Sequence, residues 1–201
     1  MAAAAIAAHA TVLSGGFIWL DRAHLTAGLA VRPRAEWLAL FREPFAGTGF
    51  YRPLTALSLS IDAAWGHPAL FHAVNLGLHA VAAMLLLLAA QALGASRRAA
   101  TLGALLFATH PVGSLVAGAI AFRAQALIAC GLFGLIAATL GAVFWTSSRD
   151  TGFWKKFYGW VPALLLCYFI PGIYNSIGLI DGAASKLYNP VASRVLLPAA
   201  L

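Results

Sequence analysis

Charge is what this sequence has least of. Only 9% of its 201 residues are Asp, Glu, Lys or Arg, and just six are acidic. That scarcity excludes an ordinary soluble domain, in which about a quarter of the residues carry charge. Thiols are nearly absent too: Cys130 and Cys167 both fall inside apolar runs, offer neither a disulfide framework nor a metal pattern, and read as buried, inert side chains. The formal net charge is +7 and lysine does not occur before Lys155. In so apolar a chain the basic excess belongs at the ends of membrane spans and on lipid phosphates, which argues against nucleic acid as a partner.

What remains is hydrocarbon. The chain is 62% hydrophobic with a mean hydropathy of +0.85, the composition of an all-α integral membrane protein. Four windows, about 70–93, 99–122, 124–146 and 157–180, hold almost no charge. Each approaches the roughly 20 helical residues that a 30 Å hydrocarbon slab requires. The N-terminal run MAAAAIAAHATVLSGGFIWL lacks a basic leader and is interrupted by His9; it reads as half of a first spanning helix, as a signal-like anchor, or as the product of a misplaced start. The expected total is about four to six transmembrane helices.

Short loops set the orientation. GASRR (Gly94–Arg98) and SSRDTGFWKKF (Ser147–Phe157) carry the cations that mark cytoplasmic loops. The segment Asp21–His67 then lies outside, although it holds five arginines. Within it, RAEWLALF (Arg34–Phe41) suits a short interfacial helix with Trp37 at headgroup depth, and FYRPLTALSLSID (Phe50–Asp62) predicts a second one opened by Pro53.

The polar residues of the spans are unevenly placed. His72, Asn75 and His79 recur at i, i+3 and i+7, on one helix stripe. With His110, expected past the midplane of the next span, and Arg123 at that span's end, they gather toward the outer face together with Asp21 and Arg52. Two readings stand for the stripe: hydrogen bonds between neighbouring helices, or a polar cavity admitting a substrate or a lipid headgroup. A metal site is not indicated, because the two histidines lie about 10 Å apart along the axis and no carboxylate or thiol stands at ligand spacing.

The run YRPLTALSLSIDAAWGHPALFHAVNLGLHAVAAMLLLL, followed by RRAATLGALLFATHPVGSLVAGAIAFRAQAL, resembles the membrane portion of the GT-C glycosyltransferases of the transmembrane-and-TPR O-mannosyltransferase group. FIWLD (Phe17–Asp21) stands where that family has a paired acidic motif, and the RPL, FH-x-x-N-x-x-x-H and LLFA-x-HP elements follow in order over about residues 10–130. The resemblance implies transfer of a sugar from a polyprenyl-phosphate carrier to a hydroxyl acceptor at the outer face, with no separate cofactor. Asp21 would be the catalytic base. Arg52, His72, Asn75, His79, His110 and Arg123 would bind the carrier and its phosphate. The sequence departs from the family at Leu20, where the first acid of the pair is replaced. It departs again at HPVGSLVA (His110–Ala117) and FRAQ (Phe122–Gln125), where a His, a Glu and an Asp are replaced. Little or no activity of this chain alone follows from those changes.

Composition shifts at about Asp150, with nine arginines and one tyrosine before it and three lysines and four tyrosines after. WTSSRDTGFWKKFY, VPALLLCYFIP and SKLYNPVASRVLLPA resemble the opening of the domain of unknown function 819 membrane family, whose build is similar to secondary transporters. Pro162 and Pro171 break backbone hydrogen bonds there, which reads either as the interrupted helix that transporters use or, more commonly, as proline kinks satisfied by neighbouring helices. The expectation is therefore a truncated hybrid bundle in the bacterial inner (plasma) membrane: a GT-C-like part at 1–125 and a transporter-like part at 126–201, needing further transmembrane helices for completion. The alternative function is a fragment of an uncharacterised transporter-like protein without catalytic activity.

Overall fold

The computed structural model describes residues 1–18, 20–22, 25, 30–47, 49–149 and 151–176, and all regular structure among them is helical. The chain divides into two units, Met1–Ala138 and Thr139–Leu201. The first unit opens with α1 (Ala2–His9), which leads into a 3-10 turn over Ala10–Ser14. Helix α2 (Pro53–Ala63) starts on Pro53, whose missing N–H is harmless in a first turn. Helix α3 (Pro68–Ala92) has Pro68 at its start and the His67 imidazole capping the amide of Ala69 at 3.2 Å. Its 25 residues rise about 37 Å, enough to cross a bilayer. Ser96 caps α4 (Arg97–Thr109) by accepting from the Ala99 amide.

Alanine makes the contact between these helices. Ala5 of α1, Ala80 and Ala83 of α3 and Ala108 of α4 are buried together, and side chains this small let backbones approach closely where apolar driving force is weak. A second cluster joins Ala30, Leu40, Phe45, Ala56, Leu59, Phe71 and Ile120, so the segment that precedes α3 packs onto its start. The helix expected over Arg34–Phe41 is two 3-10 turns, Arg34–Glu36 and Ala39–Phe41. Pro33 and Pro44 bracket too few residues for a longer helix to propagate. Trp37 is half-buried and donates its indole N–H to the Arg32 carbonyl at 3.2 Å.

The single span expected over 99–122 is a correction. Helix α4 stops at Thr109, the chain turns through His110–Val112, and it resumes as α5 (Gly113–Gly118) and a 3-10 turn over Ile120–Phe122. Pro111 is the cause: its ring denies a hydrogen bond to the preceding turn and holds His110 in extended backbone, at φ −62° and ψ 134°. His110 therefore sits at the break, exposed, and not in the body of a helix. Arg123, expected to end that span, instead begins α6 (Arg123–Ser147).

The unit boundary falls within α6. In the second unit α6 is followed by α7 (Gly152–Trp160) and α8 (Ala163–Ser176). The window 157–180 is thus divided at Val161, whose extended backbone precedes Pro162. Helix α8 passes through Pro171 without ending; residues 177–180 lie outside the described residues. Among the described residues, two helices are long and apolar enough to cross a membrane, Pro68–Ala92 and Ile120–Ser147. Both cysteines are half-buried free thiols and not fully buried ones. The Cys130 thiol donates to the Leu78 carbonyl at 3.2 Å.

Candidate functional site

Arg123 is the centre of the first unit. Its side chain is fully buried at the first position of α6 and reaches two other elements, α2 and α3. Nε donates to Asn75 Oδ1 of α3 at 2.5 Å, Nη1 contacts Asp62 Oδ2 and Ser58 of α2, and Nη2 donates to the Phe71 carbonyl at 3.0 Å. Ser58 and Asp62, four residues apart, share one face of α2. Burial pushes the Asp62 carboxyl above its ordinary pKa, opposed by the charge and hydrogen bond of Arg123. A buried pair of this kind recovers in mutual attraction roughly what both ions lose on leaving water.

Asn75 carries the network onward. Its Nδ2 donates to the carbonyls of Val116, at 2.9 Å, and Ala119, at 3.4 Å. These oxygens belong to the short helix α5 and its end, where helical partners run out. Asp21, fully buried, ties in from the other side: Oδ2 accepts from the Ile18 amide at 3.2 Å and Oδ1 from the Ala121 amide at 2.7 Å. A general base must come within about 2.6–3.2 Å of the heavy atom whose proton it removes. Both oxygens of Asp21 are instead engaged by backbone amides that join the N-terminal segment to the entrance of α6.

A second polar cluster lies one turn deeper along α3. His79 Nε2 and His9 Nε2 both point at the Ala108 carbonyl, at 3.3 and 3.0 Å, with the two rings 5.3 Å apart. A carbonyl only accepts, so each imidazole carries its proton on Nε2. The Nδ1 of His9 is then left to accept from the Ser114 hydroxyl at 2.9 Å. The reason for these histidines is the broken helix: α4 ends beside them, and its last carbonyls need donors that water supplies elsewhere. Gly113 is the counterpart, since a Cβ there would stand 2.7 Å from His9 Nε2 and 2.8 Å from His79 Nε2. Among the described residues no group of three or more His, Cys, Asp or Glu is placed to hold a metal ion.

His79 also lines a cavity of about 480 Å³, together with Phe107, His110, Val116, Gln125 and Ala129. Its walls are mostly apolar, and its size falls in the range of small-molecule sites. His110 stands at the rim with Nδ1 accepting from the Val112 amide. His72 is different again. It is buried to 1% exposure, and neither ring nitrogen has a hydrogen-bond partner. Arg52 lies apart from all of these, half-buried over the rings of Phe50, at 4.6 Å, and Phe45, at 5.9 Å.

The seven residues singled out from the sequence therefore occupy several places. Asn75 and Arg123 meet directly, and Asp21 braces the same junction. His79 and His110 share the cavity, whereas His72 and Arg52 join neither group. Sequence reasoning missed Asp62, Ser58, Ser114 and Gly113, and noted His9 only as an interruption. One signal was available for Asp62: it is the sole charged residue in its helix, a placement that calls for a cationic partner.

Comparison with known proteins finds both resemblances. The family model for a protein of unknown function, DUF819, matches residues 134–201. Protein O-mannosyl-transferase Tmtc2 of Drosophila melanogaster is 32% identical over 158 residues, covering 71% of this chain and 16% of that protein. The mouse protein O-mannosyl-transferase TMTC2 is 27% identical over 194 residues, covering 92% of this chain and 23% of the relative. This chain thus spans less than a quarter of the length of these relatives, and the mouse alignment must extend into the stretch that the DUF819 model matches. No solved structure matches. The chain is similar at a distance to membrane O-mannosyl-transferases and, toward its C-terminus, to DUF819 proteins.

Proposed function

We propose that residues 1–125 form a GT-C-type scaffold for a polyprenyl-phosphate sugar carrier, and that residues 126–201 open a transporter-like bundle. The observation that carries this reading is the convergence of the motif elements. FIWLD, RPL with the helix it opens, FH-x-x-N and FRAQ are separated by up to 100 residues, yet Asp21, Asp62, Asn75 and Arg123 meet at the entrance of α6. The neighbouring cavity, apolar with His79 and His110 on its lining, suits a hydrocarbon chain with a phosphate at one end.

In this reading the protein is multi-pass in the bacterial inner membrane. Helices α3 and α6 cross fully, and α1 with its 3-10 extension, the α4–α5 pair and α8 bring the total to four or more passes. The Arg97–Arg98 start of α4 and the Lys155–Lys156 stretch of α7 are on the cytoplasmic side. Ser96→Cys should resist an impermeant maleimide in intact cells while Phe50→Cys reacts; the reverse pattern would invert the topology. The chain alone has little or no sugar transfer, because Leu20 replaces the partner acid and Asp21 is engaged by amides. The test is a proteoliposome assay with a polyprenyl-phosphate mannose. Robust transfer, abolished by Asp21→Asn, would show that Asp21 is a working base after all.

A second reading rests on the break at His110–Pro111. Interrupted helices whose freed backbone lines a cavity are how transporters bind substrates near the midplane. It predicts substrate-dependent protection around Gly113 with no sugar transfer.

A further inference from the structure

Helix α7 is built unlike the rest of the chain. About 100° of rotation per residue puts Phe153, Phe157 and Trp160 on one stripe, and the Phe153 and Phe157 rings stack at 6.2 Å with an interplanar angle of 11°. Trp154 and Tyr158 form the adjoining stripe, with centroids 6.1 Å apart. Lys155 and Lys156 flank this aromatic arc on its far side, both exposed. Phe153 is 69% exposed and Trp160 is 89% exposed. A free aromatic face this large on so short a helix requires a partner that accepts rings and ammonium groups together.

The position of α7 says which partner. Tyr158 lends its hydroxyl to the Val143 carbonyl at 3.2 Å and to Thr146, so the helix is fastened to the last turn of α6. Val143 precedes Ser147, the end of α6, by four residues, or about 6 Å of rise. With the end of α6 at the membrane boundary, as the proposed function has it, that is the depth at which an amphipathic helix lies between headgroups and acyl chains, about 5–10 Å into the boundary. Arg149, two residues beyond the end of α6, adds a third cation, 4.2 Å over the Trp145 ring. Only one acid, Asp150, occurs between Arg149 and Lys156.

We infer that α7 is an interfacial anchor that binds an anionic phospholipid leaflet, with Phe153, Phe157 and Trp160 in the acyl boundary and Arg149, Lys155 and Lys156 on lipid phosphates. Rings at headgroup depth hold position, and the cations select charge. The occupant is lipid and not a soluble phosphate, because the aromatic arc has nothing to gain from an isolated anion.

The test uses the full chain, with Cys130 and Cys167 replaced by Ala and a bimane attached through Trp160→Cys, in bilayers containing brominated phosphatidylglycerol or brominated phosphatidylcholine. Quenching titrations give the relative association of the two lipids. The expected result is strong quenching with a preference for the anionic lipid of roughly tenfold, from about three basic residues partly screened by salt. Lys155→Gln/Lys156→Gln should lower the ratio to about twofold, the share left to Arg149, while quenching by both lipids persists. Both lysines are exposed, and the persisting quenching itself shows that the helix of the variant keeps its place. Absence of quenching by either lipid would place the aromatic face against protein or water, and equal quenching in the parent would remove charge selection; either result overturns the inference.

Discussion

The two long helices have 25 residues each and opposite habits. In its most apolar stretch α3 is 39% buried, whereas the corresponding stretch of the segment containing α6 is 11% buried. The difference follows their polar side chains. Helix α3 carries His72, Asn75 and His79 on one stripe, all buried, while α6 beyond Arg123 presents large apolar residues such as Ile128 and Leu132 to its surroundings. In a chain this apolar, hydrophobicity does not distinguish an inward face from an outward one. Hydrogen-bonding groups do, because only protein, or water held by protein, satisfies them.

Substitutions can break this contrast in order of size. Arg123→Leu strands the Asp62 carboxylate in the interior and should destabilise the first unit by about 3–5 kcal/mol, measured by thermal or denaturant unfolding in micelles. Pairing it with Asp62→Leu should recover most of the loss; a double variant as unstable as the single one would mean that the pair is needed for more than mutual neutralisation. Asn75→Leu leaves the Val116 carbonyl and Arg123 Nε without partners and should lose about 1–3 kcal/mol, with membrane insertion unimpaired because the span becomes more apolar.

Gly113→Ala drives a methyl group toward both imidazoles and should lose about 1–3 kcal/mol through overpacking. His9→Ala in the same background should relieve part of that loss, and additivity would show that the histidines are not the obstacle. The smallest changes are the sharpest test. Ile128→Ala on the open face of α6 and His72→Leu, which removes an imidazole lacking a partner, should each stay within about 0.5 kcal/mol or, for His72→Leu, stabilise. Photoreactive groups at 128 and 132 should capture lipid acyl chains while those at 75 and 79 capture protein; acyl adducts at 75 would invert the comparison.

Much of the helical content was legible from composition and period. The windows 70–93 and 124–146 became α3 and α6 within a few residues, Pro53 and Pro68 open helices, and the stripe at 72, 75 and 79 shares one face. The span over 99–122 was misread because hydropathy averages across a proline. Pro111 divides that run and leaves the Ala108 carbonyl that His9 and His79 satisfy, while the end of the short helix α5 leaves the carbonyls that Asn75 satisfies.

Local sequence, then, determined that the chain is apolar and helical, where two of its long helices run, and which residues stand on the polar face of α3, since these depend on residues within a turn or two of one another. It left undecided what that face meets. Only the tertiary structure brought Asp62 to Arg123 across 61 positions, bound both oxygens of Asp21 with amides, and set the polar residues into a buried network, a cavity wall and two isolated positions. Those outcomes depend on which helices pack together and on where a broken backbone leaves oxygens to be satisfied, and neither is written in any single stretch of the chain.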